Sequence, residues 1–283
     1  MNHNFVFFGT PDVASETLEI LKQNGYIPSL IITSPDAKSG RGLQMQTSPA
    51  AIFAEKNNVP CLKPEKLDEM FYNELKPNCL EPNCLFVVVA YGKIMPEEII
   101  NMPKLGSINI HYSLLPKYRG ASPVESAILN GDSYTGVSIQ KMEYKMDSGP
   151  IIAEEKVEIL PNEKTPDLRK RLIKIGGELL VKVLPEFTAG KTKPIPQNES
   201  LASVCKKIKK EDGLINLNDD ATINYNKFRA YAFWPRTFFF KDGKRIVITD
   251  AELMDRKFVV KKVIPEGKKE KDWEDFNLRH GVD

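Results

Sequence analysis

Two uninterrupted apolar runs, Phe5-Val-Phe-Phe8 and Leu85-Phe-Val-Val-Val-Ala90, constrain the fold more than any other feature of the chain. A strand with one solvated face alternates polar and apolar residues. A run that does not alternate is buried on both faces, as in a parallel sheet covered by helices. After Phe8, Gly9-Thr-Pro-Asp12 turns the chain into a helix over about residues 13–24, with Asp12 or Thr10 as its cap; Gly25 ends it, and Ser29-Leu-Ile-Ile-Thr33 reads as the next strand. This strand-helix-strand opening implies an α/β domain with a Rossmann-like parallel sheet. The Gly-x-Gly-x-x-Gly spacing of a dinucleotide loop is absent after Gly9, so no dinucleotide site is expected.

The same patterns predict a helix over 50–57, strands over 107–110, 135–140 and 151–159, a helix from Pro123 to about 131 and a long amphipathic helix over 165–187. Between them, residues 34–49 read as a long polar loop in which two glycines flank Arg41 and Lys38 lies three residues before it. Such a loop is either a solvated flap or a functional one. Residues 190–206 begin with the proline and polar content of a linker. The expected organisation is a first domain over 1–189, that linker, and a second, smaller domain over 207–283. From Lys191 onward there are 20 lysines and arginines against 15 aspartates and glutamates, whereas the earlier part is slightly acidic. A basic second domain suits a polyanionic partner or is simply a solvated lysine face; the run Lys206, Lys207, Lys209 and Lys210 carries both readings, the second as a helical face.

The four cysteines include no C-x-x-C pair, which argues against a zinc site or a disulfide framework. Met1-Asn-His-Asn leads directly into an apolar strand without a cationic leader, and no run reaches membrane-spanning length, so a cytoplasmic protein is expected.

Chemistry concentrates in Ser107-Ile-Asn-Ile-His-Tyr-Ser-Leu-Leu-Pro-Lys-Tyr-Arg-Gly120. Side chains two apart on a strand share a face, so Asn109 and His111 project together, and Pro116 places them at the strand's carboxyl end. Open parallel sheets bind ligands there. Spacing alone equally describes a hydrogen-bonded loop frame, and Asp147, in the turn Asp147-Ser-Gly-Pro150, equally describes a residue capping its own backbone.

The string Asn-Ile-His-x-Ser-Leu-Leu-Pro-x-Tyr-Arg-Gly, followed by Met146-Asp-Ser-Gly149, resembles the signature of folate-dependent formyltransferases. That resemblance implies a catalytic set of Asn109, His111 and Asp147, a 10-formyltetrahydrofolate donor and no metal. It implies a pterin pocket lined by Tyr91, Gly92, Ser113, Leu114, Leu115 and Pro116. The loop Pro35-Asp-Ala-Lys-Ser-Gly-Arg-Gly42 is similar to one that methionyl-tRNA formyltransferases insert at the tRNA acceptor stem, which implies contacts from Lys38 and Arg41 and the initiator methionyl-tRNA as partner. Lys206, Lys207, Lys209 and Lys210 would add phosphate contacts to a monomeric enzyme. The region around Trp234-Pro235 resembles the family's oligonucleotide-binding (OB-like) barrel, here shortened, with strands expected to be missing between Met254 and Phe258; its aromatic residues could stack on bases and are expected rather in the barrel core. Two other readings stay open: an enzyme of the same scaffold acting on glycinamide ribonucleotide, an amino sugar or formyl-folate itself, and a non-catalytic RNA-binding protein.

Overall fold

The computed structural model describes residues 5–39, 44–79 and 81–280. From the amino end, β1 (Phe5–Gly9) leads into α1 (Asp12–Gln23) and then β2 (Leu30–Ile32). A hairpin of β3 (Ala37–Ser39) and β4 (Gln44–Gln46) precedes α2 (Pro49–Lys56), β5 (Cys61–Leu62), α3 (Glu69–Leu75) and β6 (Leu85–Val89). Next come α4 (Glu97–Ile100), β7 (Ser107–His111), β8 (Arg119–Gly120), α5 (Pro123–Leu129), β9 (Tyr134–Lys141), β10 (Ile151–Glu158) and α6 (Thr165–Thr188). The remainder holds β11 (Val204–Cys205), α7 (Ala221–Ala230), β12 (Phe238–Lys241), β13 (Lys244–Met254), β14 (Lys257–Pro265), β15 (Lys271–Asp272) and α8 (Trp273–His280). Among the described residues no helix is long and apolar enough to cross a membrane.

By internal contacts the chain divides into two units. The first comprises Met1–Arg119, Gly136–Val157 and Arg171–Ser203. Its seven-stranded sheet has the order β10-β9-β7-β6-β1-β2-β5, and the pairs β7/β6, β6/β1, β1/β2 and β2/β5 are parallel. Both apolar runs lie at its centre with every residue of β1 and β6 buried. Val6, Phe8, Phe86 and Val88 pack on one face with Phe71, Leu75, Ile99 and Ile100 from the flanking helices. Cys79 and Cys84 join that cluster as small apolar side chains.

Two local expectations change. The cap of α1 is Pro11, without a side-chain cap, because the Thr10 hydroxyl donates instead to the Tyr91 carbonyl at 3.0 Å. Gly9 is a packing requirement: a Cβ there would lie 2.8 Å from the Val89 carbonyl oxygen and 2.6 Å from the Ala14 Cβ. Residues 190–203 are also not a free linker. Ile195 exchanges backbone hydrogen bonds with Ile151 at 2.8 Å in both directions, and the side chains that follow tie into the first unit.

The second unit comprises Gly120–Thr135, Glu158–Lys170 and Val204–Asp283. An antiparallel sheet in the order β12-β13-β14-β15 packs Ile246, Ile248, Val260 and Val263 against Tyr225 and Phe228 of α7 and Phe276 of α8. Where strands were expected to be missing, Asp255 and Arg256 form a two-residue turn with φ of 50° and 60°, joining β13 directly to β14. Of the aromatic stretch, Phe228, Phe238 and Phe239 are buried as expected; Phe233, Trp234 and Phe240 are exposed. Lys206 to Lys209 form no helix; they follow β11 in irregular backbone.

Candidate active site

β7 places its side chains between two neighbours of opposite direction. Asn109 is aligned with Val88 of β6 on one side and with Gln140 of β9 on the other, and His111 with Ser138. His111 is 5% exposed. Its Nε2 lies 2.8 Å from the Tyr118 carbonyl oxygen, which only accepts, so Nε2 carries a proton and the neutral ring has its lone pair on Nδ1. Nδ1 faces Asp147 Oδ2 at 3.6 Å. That separation is too long for a strong hydrogen bond but short enough for the carboxylate to stabilise an imidazolium. The Tyr118 carbonyl, presented from a left-handed backbone with φ of 59°, therefore orients the ring.

Asp147 sits in its turn at φ 51°, and Gln140 Nε2 donates to its Oδ1 at 2.9 Å. Gly149 makes the turn possible: a Cβ there would fall 1.7 Å from the Lys141 carbonyl oxygen, a main-chain atom with nowhere to go. Beside this pair, the Asn109 side-chain oxygen is buried and meets no hydrogen-bond partner among the described residues. Buried amides are nearly always paired, so a group left this way in a strand end is suited to a ligand.

The residues expected to hold the pterin divide into two kinds. Tyr91 and Gly92 follow β6, and Ser113 to Pro116 follow β7, so the adjacent ends of two parallel strands bring them together. Gly92, at φ 83°, has open space where a Cβ would project, and Leu114 and Pro116 are half-buried. Tyr91 instead packs edge-on against Phe8, with ring centroids 5.4 Å apart, and burial pushes its phenol pKa up. Its hydroxyl is a second buried polar atom without a partner among the described residues. Ser113 is fully buried and its hydroxyl donates to the Lys117 carbonyl at 2.6 Å, while the Leu115 amide donates to Ser138 Oγ at 3.0 Å. The Ser113 hydroxyl and the Leu115 amide are thus taken up in holding the loop.

Lys38 is exposed on β3, which pairs antiparallel with β4 inside the stretch expected to be a loop, and Arg41 lies outside the described residues. Lys206, Lys207, Lys209 and Lys210 are exposed in the second unit. Among the described residues no three His, Cys, Asp or Glu side chains group as metal ligands. Sequence reading missed Gln140 and Tyr118, and with them Arg119, Gln197 and Glu199, which join by successive hydrogen bonds to the main chain of Asp147. Arg119 stood in the Tyr-Arg-Gly string as a signal; Gln197 stood in a stretch whose composition signals only a linker.

An amide, an imidazole and a carboxylate toward the carboxyl edge of a mostly parallel sheet are groups that acyl-transfer chemistry can use. The chain belongs to the formyl transferase family: residues 2–184 match the formyl transferase model and residues 207–271 match the formyl transferase C-terminal domain. It is 40% identical to the methionyl-tRNA formyltransferase of Dictyoglomus thermophilum over 89% of this chain and 80% of the relative. With the methionyl-tRNA formyltransferase of Thermotoga maritima it shares 39% identity over 80% of this chain and 72% of that one. The fold is also that of the Clostridium thermocellum methionyl-tRNA formyltransferase, with a TM-score of 0.62 at 18% identity over 93% of this chain and 98% of that one. It matches the Helicobacter canadensis N-formyltransferase, solved with folinic acid and dTDP-3-aminofucose, at a TM-score of 0.66 and 18% identity over 91% and 94% of the two chains.

Proposed function

We propose that this enzyme transfers the formyl group of 10-formyltetrahydrofolate to the α-amino group of initiator methionyl-tRNA. The observation that carries the chemistry is the tautomer of His111, whose Nδ1 lone pair is held beside the Asp147 carboxylate and near Asn109 on the same strand. The acceptor rests on the 40% identity to relatives that use methionyl-tRNA.

An α-amine has a pKa of about 8, so near neutrality much of it is protonated and cannot attack. His111 Nδ1 takes the ammonium proton, and the Asp147 carboxylate stabilises the imidazolium so formed. The free amine then bonds to the formyl carbon, and the developing oxyanion receives the Asn109 amide. Collapse breaks the bond from carbon to the folate nitrogen, to which the imidazolium returns its proton. The balance is one C–N bond formed and one broken. Of the two protons the ammonium nitrogen gives up, one passes through His111 to the folate nitrogen and the other leaves the attacking nitrogen to solvent as the adduct collapses to the neutral formamide.

Gly92, Leu114 and Pro116 are the surfaces offered to the flat pterin. Arg41, Lys38 and the lysines at 206–210 serve the tRNA. The test is transfer of labelled formyl from 10-formyltetrahydrofolate, with methionyl-tRNA, free methionine, glycinamide ribonucleotide, a nucleotide-linked amino sugar and water as competing acceptors. Transfer selective for the charged tRNA is expected. Donor turnover onto one of the others would reassign the substrate while keeping the catalytic set. Arg41→Leu should raise the KM for the tRNA and leave that for the folate unchanged.

A further inference from the structure

We infer that residues 195–203 form a strap that positions the His111–Asp147 pair, with Gln197 as its working side chain. The inference rests on the catalytic reading of that pair. The strap grips both halves of it. On the aspartate side, Gln197 Nε2 donates to the carbonyl oxygens of Asp147 at 2.9 Å and Gly149 at 2.7 Å. Its Oε1 accepts from Arg119 Nε at 3.0 Å and Nη2 at 2.7 Å. Arg119 is 4% exposed, and the other side of its guanidinium forks onto Glu199, at 2.6 Å from Nη2 to Oε1 and 3.2 Å from Nη1 to Oε2. On the histidine side, the Tyr118 amide donates to Ser203 Oγ at 2.9 Å and the Arg119 amide to the Ser203 carbonyl at 2.8 Å. Tyr118 is the residue whose carbonyl holds His111 Nε2.

Both gripped residues need holding. Asp147 and Tyr118 are non-glycine residues in the left-handed region, at φ 51° and 59°, a conformation that persists only where the surroundings impose it. Between them lies the 3.6 Å separation of Nδ1 from Oδ2, which sets how strongly the carboxylate stabilises the imidazolium. A glutamine is the side chain this position requires. Two carbonyls must receive N–H donors while a guanidinium receives an acceptor, and one amide supplies all of these. A glutamate of the same shape would keep Arg119 and lose both carbonyls. The residues nearest the chemistry are thus aligned by a segment whose composition suggests only a connector.

The test is steady-state formyl transfer by the full-length enzyme carrying Gln197→Glu or Gln197→Leu, each also combined with Asp147→Asn. Either single substitution is expected to lower kcat about tenfold or more, with the KM for both substrates within about twofold of wild type. In the Asp147→Asn background the same substitutions should change kcat by less than about twofold, because the group they position has already lost its charge. A structural role would lower kcat by the same factor in both backgrounds, and that result, or an unchanged kcat for Gln197→Glu, would overturn the strap. Asp147→Asn that alone leaves kcat unchanged would instead overturn the catalytic reading, and the strap with it. Should Gln197→Leu fail to fold, Gln197→Glu, which keeps its volume and its Arg119 contact, decides the matter.

Discussion

Asn109→Ala separates function from stability at one residue. The amide proposed to meet the oxyanion is a preorganised donor, and losing such a donor raises a barrier by about 3 kcal/mol, a roughly 150-fold loss of kcat. The stability effect should run the other way from an ordinary core truncation. Asn109 Oδ1 is buried without a partner among the described residues, and an unsatisfied buried acceptor costs about 1–3 kcal/mol. Alanine removes that penalty and forfeits the packing of a half-buried side chain, on the order of 1 kcal/mol, so the variant should be as stable as wild type or up to about 1–2 kcal/mol more so. Single-turnover transfer of labelled formyl to methionyl-tRNA gives the rate, and urea denaturation gives the stability. A variant slowed by less than about threefold would remove Asn109 from the oxyanion. One slowed strongly but destabilised by more than about 2 kcal/mol would show that the amide supports the fold, and the reasoning from its unpaired oxygen would fail.

Three further outcomes follow from the geometry. Gly149→Ala pushes a Cβ to 1.7 Å from the Lys141 carbonyl, so the Asp147 turn must open, and transfer should fall by about a hundredfold or more; near-normal kcat would show that the turn is not needed. Phe86, fully buried with its ring centroid 4.9 Å from that of Phe8, should cost about 3–5 kcal/mol on truncation to alanine, measured by urea denaturation. Arg119, then Lys145, hydrogen-bonded to Glu199, hold its carboxyl down at about 2. The stability from this carboxylate is therefore present above the ordinary carboxylate range and is lost as pH falls through about 2, so any gap between wild type and Glu199→Gln should be constant from pH 7 to about 5 and close below that. A gap that widens in acid would contradict the pairing.

The parallel sheet was legible because its evidence is local. Phe5 to Phe8 and Leu85 to Val89 are apolar without interruption, and only a doubly covered strand tolerates that. Asn109 and His111 were legible as neighbours because a strand's period of two is a property of the backbone. The turn between β12 and β13 carries its signal in Asp242-Gly243, both at positive φ. The turn between β13 and β14 carries none: Arg256 at φ 60° is held there by the pairing of the strands on either side, which no local preference announces.

Sequence by itself thus determined the sheet, the family string and the shared face of Asn109 and His111. Only the tertiary structure decided which nitrogen of His111 carries the lone pair, since that follows from the carbonyl of Tyr118, a left-handed residue seven positions away. It alone turned a linker-like stretch into a strap, because Gln197 meets Asp147 fifty residues distant through hydrogen bonds to main-chain carbonyls. A contact made to a carbonyl oxygen is indifferent to the side chain that bears it. Composition and spacing therefore carry no trace of it, and it exists only once the backbone has been brought into place.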